Sequence, residues 1–161
     1  MTCVARKRRQ GFSLIELVIV VVIIGIIGAI AIPRISRGAA GAADSATIAD
    51  LAVMRNAIDL YATEHGGTFP TLAAITNQLT QYTDSAGAAQ AASDTTHIYG
   101  PYVRKVPALK VGPATAKGFS AFTDTSGTAS CGWVYTAATG TVVTNTGAGD
   151  VDASGTLYNT Y

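Results

Sequence analysis

Two residues near the start of the chain are spaced to do chemistry together. A cut after Gly11 would free the amine of Phe12, and Glu16 is a lone carboxylate four positions further on. Glu16 stands inside FSLIELVIVVVIIGIIGAIAI, residues 12–32, where it is the single charged side chain. A charged group at the centre of a membrane costs roughly 2.5–3.5 kcal/mol by insertion scales, so one that is retained there is expected to pair with a cation. The freed amine would be the closest cation, a turn away in the same helix or supplied by a neighbouring copy in a staggered bundle. The second arrangement makes Glu16 a register key between identical helices. Ser13-Leu14-Ile15-Glu16 also fits the capping pattern S-x-x-E, in which the carboxylate turns back onto the first backbone N–H groups, so a purely structural role stays open.

The element that must carry these residues is an apolar helix. Residues 12–32 would extend about 31 Å as a helix, the thickness of a bilayer core. Val and Ile favour strand in water, but in lipid a single helix satisfies its own backbone and a single strand does not. Arg6, Lys7, Arg8 and Arg9 precede the run, which places them on the cytoplasmic side and everything after Pro33 beyond the membrane. An ordinary secretory signal cut after Ala29-Ile30-Ala31 is the rival reading, as is a permanent anchor. Against the former, the apolar run exceeds the roughly 7–15 residues of a signal core and contains a carboxylate. Arg8-Arg9 is by itself a weak twin-arginine signal in so basic a leader.

Composition bounds the remainder. With 161 residues, 48% hydrophobic and 13% charged, the chain is too apolar for disorder and suits one domain plus a membrane segment. No basic residue follows Lys117, whereas Asp124, Asp150 and Asp152 do, so the C-terminal part is a poor partner for nucleic acid. Cys3 and Cys131 allow at most one disulfide, which excludes a disulfide scaffold. The sequence contains no G-x-S-x-G, H-E-x-x-H or CxxC motif, and its two histidines lack a nucleophile pattern, so a structural protein is expected rather than an enzyme.

Beyond Pro33, Gly38 and Gly41, the residues Ile48, Leu51, Met54, Ile58 and Tyr61 recur at spacings of three and four, the apolar face of a helix. His65-Gly66-Gly67 is a stop signal. The first helix is therefore expected from near Phe12 to near Glu64, with a bend or loosened stretch at Pro33. Met54 reads as packing, and His65 has no partner ligand at metal spacing. Leu72, Ile75, Leu79 and Tyr82 predict a shorter second helix, and Asp84 to Thr96 a linker. Gly118–Thr123, Cys131–Thr136 and Thr141–Asn145 are Thr- and aromatic-rich runs separated by Ser126-Gly127 and Thr139-Gly140. They predict a small antiparallel meander packed on the long helix, burying Phe119, Phe122, Trp133 and Val142 in some combination. Cys131 reads as a small buried hydrophobe.

The string Arg6 to Glu16, RKRRQGFSLIE, followed by the apolar run and Pro33, resembles the class III signal of type IV pilins and type II secretion pseudopilins. The resemblance covers about the first fifth of the chain. It implies cleavage between Gly11 and Phe12 by a membrane aspartyl prepilin peptidase, N-methylation of Phe12 and assembly into a helical filament, where the Glu16 equivalent meets the N-terminal amine of an adjacent subunit. It further implies a type IV pilin-like α+β fold, with a cleaved leader at 1–11, a transmembrane and filament-core helix at 12–33, and an extracytoplasmic globular domain at 34–161. The implied partners are the peptidase, membrane lipid, an inner-membrane platform with its cytoplasmic ATPase, and minor pilins or pseudopilins. The implied location is the bacterial inner membrane, single-pass, with the domain periplasmic before it enters a periplasmic or surface filament.

The order of long helix, connecting segment and C-terminal sheet is similar to the major pseudopilin of type II secretion more than to a classical type IV pilin. Tyr61 to Pro70 (YATEHGGTFP) resembles that group's helix end and Y-x-P turn, with Phe69 in place of Tyr. Gly100 to Pro107 (GPYVRKVP) resembles its segment leading into the sheet, followed here by Ala108 to Gly112 instead of Asp-Pro-Trp-Gly. The absence of a C-terminal cysteine pair also leans away from adhesive pilins. Major pseudopilins bind calcium in a C-terminal loop, so the resemblance implies calcium at Asn145 to Ser154 (NTGAGDVDAS), with Asn145, Asp150 and Asp152 as donors. Calcium takes about six to eight oxygens and the EF-hand pattern is missing, which leaves a polar surface loop as the plain alternative.

Overall fold

The computed structural model describes residues 11–161; the basic cluster Arg6 to Arg9, the rest of the leader before Gly11, and Cys3 lie outside the described residues. The chain divides into two compact units, the first ending at Gly38 and the second spanning Ala39–Tyr161. Helix α1 runs from Leu14 to Glu64, with Pro33 inside the helical span. It stops where the sequence expects it to. Gly66 takes a left-handed φ of 64°, open to glycine at no steric cost, and the Gly67 N–H reaches back to the Ala62 carbonyl at 2.7 Å.

In the second unit, α1 buries Leu51, Met54, Ala57, Ile58 and Tyr61 against the rest of the domain. Ile48 departs from the expected stripe, being about half exposed. The buried face continues towards the N-terminus through Thr47 and Asp44 instead, at spacings that keep the 3-4 alternation. A carboxylate is tolerated there because it is hydrogen-bonded: Asp44 accepts from the Tyr158 hydroxyl at 2.7 Å and the Ala153 N–H at 3.1 Å. Helix α2 (Ile75–Thr80) adds Ile75 and Leu79 to the core, starting later than the Leu72 periodicity predicts.

The segment expected to be a linker is partly paired. β1 (Tyr82–Thr83) and β2 (Ala89–Gln90) form an antiparallel pair, and the Asp84 carboxylate holds the turn between them by accepting from Ala86 and Ala88 N–H at 2.9 and 2.8 Å.

The C-terminal sheet comprises β3 (Phe122–Thr123), β4 (Trp133–Thr136) and β5 (Thr141–Thr144), in that order. β4 and β5 are antiparallel, as the turn signal Thr139-Gly140 predicts, but β3 pairs with β4 in parallel, which corrects the all-antiparallel meander. The cause is the connector between β3 and β4, which folds into a loop instead of a tight hairpin. Asn145, the residue after β5, pins it: its Oδ1 accepts from Gly127 N–H at 2.7 Å, while its Nδ2 donates to the carbonyls of Thr128 at 2.8 Å and Cys131 at 2.7 Å. Chain direction is therefore restored before β4 begins.

Of the aromatic and aliphatic residues expected inside, Trp133 and Val142 are fully buried, Phe122 is half-buried and Phe119 is exposed. Trp133 anchors the sheet, with its Nε1 donating to the Pro107 carbonyl at 2.8 Å. Trp133→Ala is expected to cost about 3–5 kcal/mol through the cavity alone, with the stranded Pro107 carbonyl adding to it. Urea denaturation followed by circular dichroism measures the loss; a cost under about 1 kcal/mol would contradict this core.

Candidate processing and assembly site

Gly11, Phe12 and Ser13 precede the helix as exposed, non-helical chain. A peptide bond in a hydrogen-bonded helix must be unwound before a protease can engage it, whereas Gly11–Phe12 already lies outside α1. Phe12 is 77% exposed, and a Cβ added at Gly11 would meet nothing within 4 Å. The first helical hydrogen bond runs from Leu17 N–H to the Ser13 carbonyl at 3.2 Å. Glu16 thus falls in the first turn, where a carboxylate complements the positive end of the helix dipole. Its side chain is exposed.

From Leu14 to Ile32 the helix presents apolar side chains all round, most of them half exposed or more. At about 1.5 Å per residue this stretch reaches close to 30 Å, long and apolar enough to cross a membrane. A helix that is apolar on every side belongs in lipid or among other helices. The sequence-derived site residues Gly11, Phe12 and Glu16 therefore sit together at the entrance to this helix, and Pro33 follows its apolar stretch.

Asn145, Asp150 and Asp152, the residues expected to hold calcium, each hydrogen-bond within the protein. Asn145 is buried and holds the β3–β4 connector, its side-chain oxygen accepting from Gly127 N–H. Asp150 accepts from Gly147 N–H at 2.7 Å. Asp152 accepts from Ser154 and Thr156 N–H at 2.7 and 2.8 Å through Oδ1, and from the Tyr161 hydroxyl at 2.5 Å through Oδ2. The Tyr161 hydrogen bond and these backbone donors hold the Asp152 carboxyl below the usual range. Burial, then the Asp152 partnership, pushes the Tyr161 phenol up to about 12, and burial with Asp44 raises Tyr158 as well. Among the described residues, no three His, Cys, Asp or Glu side chains are grouped to hold a metal ion.

The other chemistry-bearing residues are engaged in packing. Met54 is fully buried in the core. His65 stacks on Tyr61 at 3.8 Å between ring centroids, with its Nδ1 2.8 Å from the Tyr61 carbonyl and its Nε2 2.9 Å from that of Asp84. Cys131 is half-buried, less enclosed than a core thiol. Asp44 is the polar residue that reading for apolar periodicity passes over; its place in the 3-4 register was the available signal.

Comparison with family models matches residues 6–32 to the prokaryotic N-terminal methylation motif. The matched stretch contains Gly11, Phe12 and Glu16 and ends before Pro33. No curated protein and no solved structure matches the chain. The motif supports a type IV pilin-like protein processed as a prepilin, without separating pilins from pseudopilins. It is likewise consistent with a structural role and with a membrane-anchored, single-pass chain.

Proposed function

We propose that this chain is the structural subunit of a type II secretion pseudopilus. It is inserted with its basic leader in the cytoplasm and its domain in the periplasm, cut between Gly11 and Phe12 by a prepilin peptidase, methylated on the Phe12 amine and polymerised through α1. The observation that carries this reading is the accessible Gly11–Phe12 bond at the mouth of an unburied apolar helix, within a segment that matches the methylation motif. The order of elements, long helix before short helix before small C-terminal sheet, supports the secretion branch.

The mechanism follows from where apolar surface can go. In the membrane, lipid covers residues 14–32 and stores the subunit. In a filament, neighbouring helices take the place of lipid, and Glu16 gains the Phe12 amine of the adjacent copy as counter-charge. Pro33, which supplies no helical N–H, is the position at which α1 bends most easily as it leaves the bundle. Extraction from the membrane is driven by a cytoplasmic ATPase through an inner-membrane platform, and minor pseudopilins join the same filament.

Cleavage removes four of the eleven basic residues and none of the ten acidic ones, so the net charge passes from +1 to −3. Intact-mass measurement of the protein from bacterial membranes is expected to give residues 12–161 plus one methyl group. A product beginning at Ile32 would assign an ordinary signal peptide, and one beginning at Met1 a permanent anchor; either result overturns the proposal.

A further inference from the structure

The segment that carries calcium in the pseudopilins this chain resembles is closed here by hydrogen-bond donors. Asp44 projects from α1, buried, and both of its oxygens are used: Oδ1 by the Tyr158 hydroxyl and Oδ2 by the Ala153 N–H. Asp152 likewise commits Oδ1 to two backbone N–H groups and Oδ2 to the Tyr161 hydroxyl. Arg55, one turn beyond Leu51 on α1, donates to the backbone carbonyls of Val142 and Tyr161. The rings of Tyr158 and Tyr161 meet edge to face at 5.7 Å, and an antiparallel bridge joins Val151 to Leu157.

Calcium needs several oxygens whose lone pairs point at one centre. Here an N–H or O–H already points at the lone pairs of Asp44 and Asp152, and Asn145 has turned its oxygen away to Gly127. A cation that drew Asp44 or Asp152 into its own shell would compete with these donors, and each buried phenol or amide it left unpaired would cost about 1–3 kcal/mol. We infer that residues 147–161 are clasped to α1 by Asp44, which accepts from the Tyr158 hydroxyl and the Ala153 N–H, and by Arg55, with the Tyr161–Asp152 pair closing the segment on itself, in place of a divalent cation, and that the domain keeps its fold without calcium. The raised phenols agree with this, since each hydroxyl keeps its proton to donate.

The test uses the full mature chain in detergent micelles, melted with excess calcium chloride or with excess EDTA. The two melting temperatures are expected to coincide, and isothermal titration with calcium chloride is expected to show no saturable heat. Tyr158→Phe is expected to lower the melting temperature by several degrees, and Tyr161→Phe by less because its ring is more exposed, by the same amount in either buffer. A higher melting temperature in calcium, or calcium restoring a Tyr→Phe variant, overturns the inference; so does a Tyr158→Phe protein as stable as the parent. None of these results bears on processing at Gly11, so failure here leaves the pilin-like reading to its own mass measurement.

Discussion

Gly11→Val is expected to leave the chain as a full-length precursor in the membrane, with cleavage slowed on the order of 10²-fold or more. A side chain at position 11 meets nothing within 4 Å in the protein itself, and Gly11 lies outside every helix and strand. The substitution therefore has no route to the fold of this chain. On the proposed route, a loss of cleavage would arise where the Gly11–Phe12 bond is held in the peptidase, and misplacing a scissile bond by about 1 Å is enough for an effect of that size. The precursor keeps its four leader cations and its +1 charge, so it separates from the mature form by charge as well as length. Pulse labelling followed by immunoprecipitation reads the ratio directly. Mature product at the parental rate would show that no glycine-requiring enzyme acts at this bond.

What could be read from the sequence is what depends on neighbours in sequence. The segment from Gly11 to Glu16 and the apolar run after it are local, and the structure places them together for that reason. The end of α1 was legible too, because Gly66 supplies a backbone conformation that other residues avoid. Long-range partners were not legible. Ile48 fits the apolar stripe as well as any residue, yet it is left outside while Asp44 is buried on the distant Tyr158 and Ala153 and Thr47 is buried with its hydroxyl on the Ala43 carbonyl one turn back. β1, β2 and β3 are two residues each, too short for any alternation to declare direction or partner. The parallel sense of β3 depends on one amide, Asn145, clamping a loop far from it in sequence. In the acidic, glycine-rich string that follows, Asp150 and Asp152 bond to backbone N–H groups close to them in sequence.

Glu16→Ala is expected to insert into the membrane and to be cut normally, yet to yield on the order of 10²-fold less filament. Insertion should not suffer, because removing a carboxylate from an apolar helix lowers the cost of placing that helix in lipid. Cleavage should not suffer, because the Gly11–Phe12 bond precedes the helix and Glu16 lies within its first turn. Assembly differs: in the proposed filament the freed Phe12 amine would enter a bundle of apolar helices, and breaking a buried charge pair by deleting one partner costs about 3–5 kcal/mol, which corresponds to at least about 10²-fold in an equilibrium. Glu16→Gln separates the two roles this residue can play. Glutamine serves in a capping box as glutamate does, so it preserves the start of α1 while removing the charge. If sheared-filament yields from Glu16→Gln match those of Glu16→Ala, the charge sets the register between copies. If Glu16→Gln assembles like the parent, Glu16 is a helix cap and the amine of Phe12 must find its counter-charge elsewhere.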